Sequence, residues 1–431
     1  MSLESLIRAH KAVVGVIGLG YVGLPLVRLF ASKGFRVLGF DIDQAKIERL
    51  QRGESYIRSV PSQTLRKLRR RFEATSDFSR LREADAIIIC VPTPLLEDGR
   101  PDLSFIRITA RTIGQNLRKG QLVVLESTTY PGTTREIMKP ELDKTGLDYL
   151  LAFSPEREDP GNRQYTNADI PKVVGGIDER SRKTAAALYG SAVVRVVEVS
   201  SCEVAEAAKL LENIYRCVNI ALVNELKMCL ERMGIDIWEV IAAASTKPFG
   251  FQPFYPGPGL GGHCIPLDPF YLSWKAKEYQ FATRFIDLAG EINIQMPYYV
   301  LSKLEEALKR RKKTISGSKI LILGLAYKRD IDDPRESPSF KVIELLEGKG
   351  ATVRWHDPFF AKLPPMRHYR HIKAKPVELT EKTLRGHDAA VIVTDHTAYD
   401  YEWIVRQAPL VVDTRNACRN VKSGLDRIVK A

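Results

Sequence analysis

Little in this sequence belongs to a secreted, membrane-embedded or metal-held protein. The 431 residues include only six cysteines, at positions 90, 202, 217, 229, 264 and 418. They are scattered, with no C-x-x-C pair and no Cys/His cluster, so neither a disulfide framework nor a zinc site is signalled, and no metal is expected. No window approaches the ~18 consecutive apolar residues of a membrane span. Met1 to Lys11 is polar and lacks the apolar centre of a signal peptide. A chain of a reducing, cytoplasmic compartment with no membrane partner is expected.

Charge of one sign is in excess, at net +13. No aromatic-interleaved basic groove or nucleic-acid reader motif accompanies it, so nucleic acid is not the expected partner. Small anionic substrates drawn into a basic cleft fit better. The densest run, RKLRRRFEA from Arg66, has helix-like spacing and reads as a solvated face. With 44% hydrophobic residues the chain can bury a large core, divided over two or three domains.

Apolar runs alternate with helical spacing in the N-terminal part. AVVGVIGLG reads as a strand buried on both faces. YVGLPLVRLFASKG follows as a helix ending at Lys33-Gly34, and FRVLGFDID, AIIICVP and QLVVLEST read as further strands. The C-terminal part repeats the order: strand KILILGLAY, helix SFKVIELLEGKG, then strands ATVRWHD, AAVIVTD and PLVVDTR. KGFRVLGFD pairs with KGATVRWHD as a weak internal duplication. The fold class is therefore α/β, with two Rossmann-like doubly wound domains joined by a long central helix. The expected division is 1–200, 201–316 and 317–431.

The stretch between the halves, SSCEVAEAAKLLENIYRCVNIALVNELKMCLERMGID, has a Ser cap, no internal Gly or Pro, and a stop at Gly234. That is one very long helix. Its apolar residues occur almost all round, so it should be buried, in part by a second subunit. A homodimer or higher homo-oligomer built on this helix is expected.

GLGYVG sets Gly18, Gly20 and Gly23, with Tyr21 and Val22 between them, after a strand and at the opening of a helix. The first glycine makes the turn, the second admits a pyrophosphate, and the third packs helix on strand. Asp41 ends the next strand, where an acidic residue hydrogen-bonds the ribose 2′-hydroxyl and repels a 2′-phosphate. The expected cofactor is NAD rather than NADP. The second half lacks this signature. It offers Lys328, Arg335 and Arg415 at the carboxyl edge of its strands, cations suited to a diphosphate.

Read in order, VIGLGYVGLPL, FDID, CVPTPL, ESTTYPGTT, SPERE, AKLLENIYRCVNIALVNEL, PGPGLGGHCIPLDP, ILGLAYKRDIDDPRES and VVDTRN resemble the nucleotide-sugar 6-dehydrogenases, the UDP-glucose/UDP-N-acetylhexosamine dehydrogenase family. The resemblance covers nearly the whole chain. It implies oxidation of a sugar C6 alcohol to a carboxylate with two NAD per UDP-sugar. Cys264 matches the family nucleophile, which holds the aldehyde as a thiohemiacetal and then as a thioester. Glu156 matches the general base that hydrolyses the thioester.

By the same resemblance Lys209 and Asn213, four apart on one helix face, stabilise negative charge at the reacting oxygen. Asp268 holds a water or accepts the alcohol proton beside Lys209. Thr128 positions substrate water and nicotinamide. Thr93 and Arg335 join the cofactor site, and Tyr255, Gly261, Lys328 and Arg415 the substrate site. His263 either tunes the thiolate or fills space. GPGLGGHCIPLDP looks like the branch acting on N-acetylated sugars and SPEREDPGN like its UDP-GlcNAc members, which orders the expected substrates as UDP-GlcNAc, UDP-GalNAc, UDP-ManNAc, then UDP-glucose. A single-hydride hydroxyacid-type dehydrogenase and a silent NAD-binding scaffold are the rival readings.

Overall fold

The computed structural model describes residues 2–96, 98–157, 165, 168–262, 265–363 and 369–431. They form two compact units, one of Met1–Glu212 with Phe270–Phe281, the other of Asn213–Pro269 with Ala282–Ala431.

The first unit is built on strands β1 (Val13–Ile17), β2 (Arg36–Phe40), β3 (Phe72–Thr75), β4 (Ala86–Ile89), β5 (Leu122–Leu125), β6 (Leu150–Phe153), β7 (Lys172–Gly176) and β8 (Val196–Glu198). Their order is β3-β2-β1-β4-β5-β6-β7-β8. The first six stand in the doubly wound order and are parallel. β7 turns back antiparallel to β6. The continuous apolar runs are what burial on both faces demands. Val14, Val16, Ile88 and Val124 face one core and Ile17, Ile87, Ile89 and Val123 the other. Helix Gly23–Ser32 ends at Lys33 and Gly34 (φ +103°), where a left-handed residue was needed.

The basic run departs from its expected form. Helix Ser62–Leu68 covers only its start, and Phe72–Thr75 is strand β3. Phe72 and Ala74 enter the core while Glu73 faces out, a period of two that the preceding arginines obscure.

The second unit holds β9 (Lys319–Leu323), β10 (Thr352–His356), β11 (Lys375–Pro376), β12 (Ala389–Ile392), β13 (Val411–Asp413) and β14 (Ile428–Lys430). The sheet runs β11-β10-β9-β12-β13-β14, all parallel, the same winding as the first six strands of the other sheet. The duplicated stretches occupy equivalent places: β2 pairs with β1 from Val13↔Arg36, and β10 with β9 from Lys319↔Thr352.

The long helix runs Cys202–Arg232, 31 residues. Ser201 Oγ accepts from Val204 N–H at 3.3 Å at its start, and Gly234 (φ +75°) follows its end. Its apolar residues are not all covered. Leu210, Cys217 and Ala221 are buried, the last two against Ala289 of helix Arg284–Arg310. Val204, Leu211, Tyr215, Leu222 and Leu226 form one exposed stripe, with Leu211 67% and Leu222 50% exposed. No helix among the described residues is long and apolar enough to cross a membrane.

Candidate active site

The turn after β1 has the geometry its glycines imply. Gly18 sits at φ +88°, and a Cβ there would lie 2.5 Å from Cys90 O. A Cβ on Gly23 would lie 1.9 Å from Gly18 O, so only glycine lets the helix close onto the strand. A Cβ on Gly20 would meet nothing within 4 Å; the open side of the turn lies there. Asp41 is buried, with Oδ2 accepting from Leu19 N–H at 2.9 Å and Oδ1 from Asp43 N–H at 3.0 Å. The carboxylate thus braces the turn that it faces. Tyr21, within the same turn, is 36% exposed. Open space for a pyrophosphate with an acid at the next strand end fits a dinucleotide.

Thr93 and Thr128, beyond the ends of β4 and β5, are brought together: Thr93 Oγ1 donates to Thr128 O at 2.8 Å. Tyr271 OH donates to Thr93 O. The segment after Thr128 is pinned by Glu206, a fully buried carboxylate on the long helix. It accepts from Gly132 N–H at 2.6 Å, Thr134 N–H at 2.9 Å and Thr134 Oγ1 at 2.7 Å. Burial pushes its carboxyl up to about 7.

Glu156, just past β6, does not pair with the adjacent Arg157 guanidinium. That group goes to Glu212 at 2.6 Å. Glu156 Oε1 accepts from Arg157 N–H at 2.8 Å, and Oε2 from Lys172 Nζ at 3.0 Å. Lys172 also donates to Glu126 Oε2 at 2.8 Å, and Glu126 Oε1 accepts from Tyr189 OH. Burial pushes the Glu126 carboxyl up to about 7 and lifts the Cys90 thiol well above its usual value. Sequence reasoning missed Glu126, Lys172, Tyr189 and Glu206. Glu126 stood in the quoted ESTTYPGTT, and Glu206 lies one turn before Lys209; nothing local marks Lys172 or Tyr189.

On the long helix Lys209 and Asn213 are both buried and share a face. Asn213 Nδ2 donates to Asp268 Oδ2 at 2.6 Å, and Asp268, at the start of helix Asp268–Ala276, is 1% exposed. Cys264 and His263 lie outside the described residues.

At the second sheet's edge Gly324 (φ +91°) turns the chain after β9, and Asp357, at the end of β10, accepts from Leu325 N–H at 2.6 Å and Ala326 N–H at 3.1 Å. This repeats the Asp41 brace, but Asp357 Oδ2 also lies 3.1 Å from Nε2 of the buried His396. Of the three expected cations, Arg335 folds back on Asp333 with Nη2 to Oδ2 at 2.6 Å, and its carbonyl accepts from Gly262 N–H at 3.0 Å. Arg415 Nε donates to Val393 O at 3.1 Å, and burial pushes its guanidinium down to about 10. A Cβ on Gly257 would fall 2.3 Å from Arg415 Nη1, so the glycine makes room for it. Lys328 is half-buried. Gly261 packs where a Cβ would be 2.6 Å from Tyr327 Cβ, and Tyr255 is exposed and stacked on Trp238.

Known proteins resemble this chain along most of its length. The UDP-glucose/GDP-mannose dehydrogenase family matches in three parts: its NAD binding domain over residues 12–193, its central domain over 203–295, and its UDP binding domain over 321–420. The chain is 34% identical over 425 residues to a UDP-N-acetyl-D-mannosamine dehydrogenase of Pyrococcus horikoshii, covering 95% of this chain and 97% of that protein. It is 37% identical over 362 residues to a UDP-N-acetyl-D-glucosamine 6-dehydrogenase of Pseudomonas aeruginosa, covering 83% and 85%. The solved structure of a UDP-D-ManNAc dehydrogenase from Pyrococcus horikoshii superposes with a TM-score of 0.86 at 32% identity, covering 96% of this chain and 97% of that one.

Proposed function

The chain belongs to the UDP-glucose/GDP-mannose dehydrogenase family, and from that premise we propose that it oxidises the C6 alcohol of a UDP-N-acetylhexosamine, UDP-GlcNAc first, to the uronic acid. It is an NAD-dependent UDP-sugar dehydrogenase. The observation that carries the reading is the buried Asn213–Asp268 hydrogen bond at 2.6 Å, on a helix face that also buries Lys209.

NAD held at Gly18, Gly20, Tyr21, Val22, Gly23 and Asp41, with Thr93, Thr128 and Arg335, supplies the hydride acceptor. Asp268 takes the alcohol proton, while Lys209 and Asn213 stabilise charge on the oxygen. Cys264 adds to the aldehyde, giving a thiohemiacetal that can donate a second hydride and become a thioester. Glu156 deprotonates the water that cleaves it. Lys328 and Arg415 hold the diphosphate, with Tyr255 and Gly261 at the sugar. The division 1–200, 201–316 and 317–431, with the central part pairing two subunits, belongs to the same proposal.

Within the class, SPEREDPGN favours UDP-GlcNAc, and the 95% coverage by the mannosamine enzyme favours UDP-ManNAc as the second reading. NADH formed per UDP-sugar consumed, measured for each epimer and for UDP-glucose, tests all of this. Two NADH and an acidic product from UDP-GlcNAc is the expected result. One NADH per sugar, or turnover retained by Cys264→Ser, would overturn the thioester route.

A further inference from the structure

The antiparallel return of β7 has a chemical consequence. β6 and β7 pair as Ala152↔Gly176 and Phe153↔Gly175. Continued three residues beyond Phe153, that register sets Lys172 opposite Glu156, and Lys172 Nζ indeed lies 3.0 Å from Glu156 Oε2. A parallel strand would place it at the other end of the sheet. The lysine side chain is 6% exposed and Glu156 15%. A cavity of about 10 Å³ beside them, lined by Glu156, Arg157, Lys172 and Tyr189 together with apolar residues, admits roughly one water, so solvent does little to screen the pair.

Lys172 is itself fixed from behind. Glu126 Oε2 holds it at 2.8 Å, Tyr189 OH holds the other oxygen of Glu126, and the ammonium lies 5.3 Å from the Tyr189 ring centre. A buried and a partly buried carboxylate thus share one ammonium whose direction neither can change alone. With Oε1 held by Arg157 N–H and Oε2 by Lys172, the Glu156 carboxylate is held at both oxygens, which fixes the plane of the group.

We propose that Lys172, anchored by Glu126 and Tyr189, is a positioning residue that orients Glu156 for thioester hydrolysis. The inference rests on the reading of Glu156 as the hydrolytic base. In that step Glu156 takes a proton from water, the water oxygen bonds to the thioester carbon, the C–S bond breaks, and the Cys264 sulfur leaves as thiolate; nothing is oxidised or reduced. Lys172 acts on this step alone, because the hydride transfers do not use Glu156.

The test is rapid-quench NADH measurement with intact-protein mass spectrometry on wild type, Glu156→Gln, Lys172→Met and Lys172→Arg, using the UDP-sugar that the wild type turns over. Lys172→Met should give a burst of two NADH per site, then turnover slowed roughly ten- to a hundred-fold, with the acyl adduct on the protein. Lys172→Arg should recover much of the rate. Adduct in Glu156→Gln with wild-type hydrolysis in Lys172→Met overturns this proposal and leaves the base reading standing. Wild-type hydrolysis in Glu156→Gln overturns the base reading, and this proposal with it. If Lys172→Met does not fold, the double variant Glu126→Gln/Lys172→Met removes the like-charge repulsion and is expected to show the same slow hydrolysis; unchanged hydrolysis there is equally fatal.

Discussion

Gly20 and Gly23 belong to one motif, yet a methyl group does different things at each. At Gly23 it would sit 1.9 Å from Gly18 O, inside the backbone of the turn, so Gly23→Ala should melt several degrees lower and lose NAD binding with it. At Gly20 it meets nothing, so Gly20→Ala should fold with stability within about 0.5 kcal/mol of wild type. Its NAD affinity should fall roughly tenfold or more, because the methyl occupies the pyrophosphate's approach. Thermal melts with NAD titration separate the two. Glu206 makes a residue-level prediction about pH. Its folded carboxyl is raised to about 7, above the usual 4.5, so the folded state holds the proton more tightly. Stability from this group is full below about pH 4.5 and is lost as pH rises through about 7. Glu206→Gln removes the charge and keeps one of the two acceptor oxygens, so the bond lost at the other is a cost that does not change with pH. The melting temperature of Glu206→Gln relative to wild type should therefore rise between pH 5 and pH 8, by the equivalent of roughly 3 kcal/mol. A constant difference would show that the carboxylate is not destabilised by its burial.

Among the elements, the long helix gives the sharpest test. Leu211, Tyr215, Leu222 and Leu226 repeat at four- and seven-residue spacing and stand exposed, a stripe of the kind that another helix covers. Leu222→Asp costs little within one chain, since Leu222 is 50% exposed. It should turn the proposed dimer into a folded monomer in sedimentation; a persisting dimer would place the interface elsewhere, and a wild type that already sediments as a monomer would overturn the dimer. Elements with a strong apolar period were legible in the sequence: β1, β4, β5, β9 and β12 as buried runs, and this helix from its Ser cap to Gly234. Short elements were not. β3 hides behind arginines, β11 has two residues, and β7 owes its direction to pairing across the sheet rather than to anything in KVVGG. The candidate site divided the same way. The turn glycines and Asp41 follow from local rules, whereas Lys172 reaches Glu156 through a register that no local pattern encodes.

For the whole molecule, two units of similar size each carry their own sheet and core. A ligand stabilises the part of a protein that binds it. Calorimetry should therefore resolve two transitions, with NAD raising the one that contains Asp41 and UDP the one that contains Arg415. A single transition shifted equally by both would mean that the units melt as one.

The two sheets share more than a winding. Asp41 and Asp357 each brace the turn after the first strand of their own sheet, but only the second also lies against a buried histidine. Substituting Asp41 confounds two losses, a bracing bond and a ribose partner. Asp357→Asn, made in parallel in a His396→Phe background so that the histidine contact drops out, offers an internal standard for the first of them, and the preference for NAD over its phosphorylated form becomes measurable as a remainder of subtraction within a single chain.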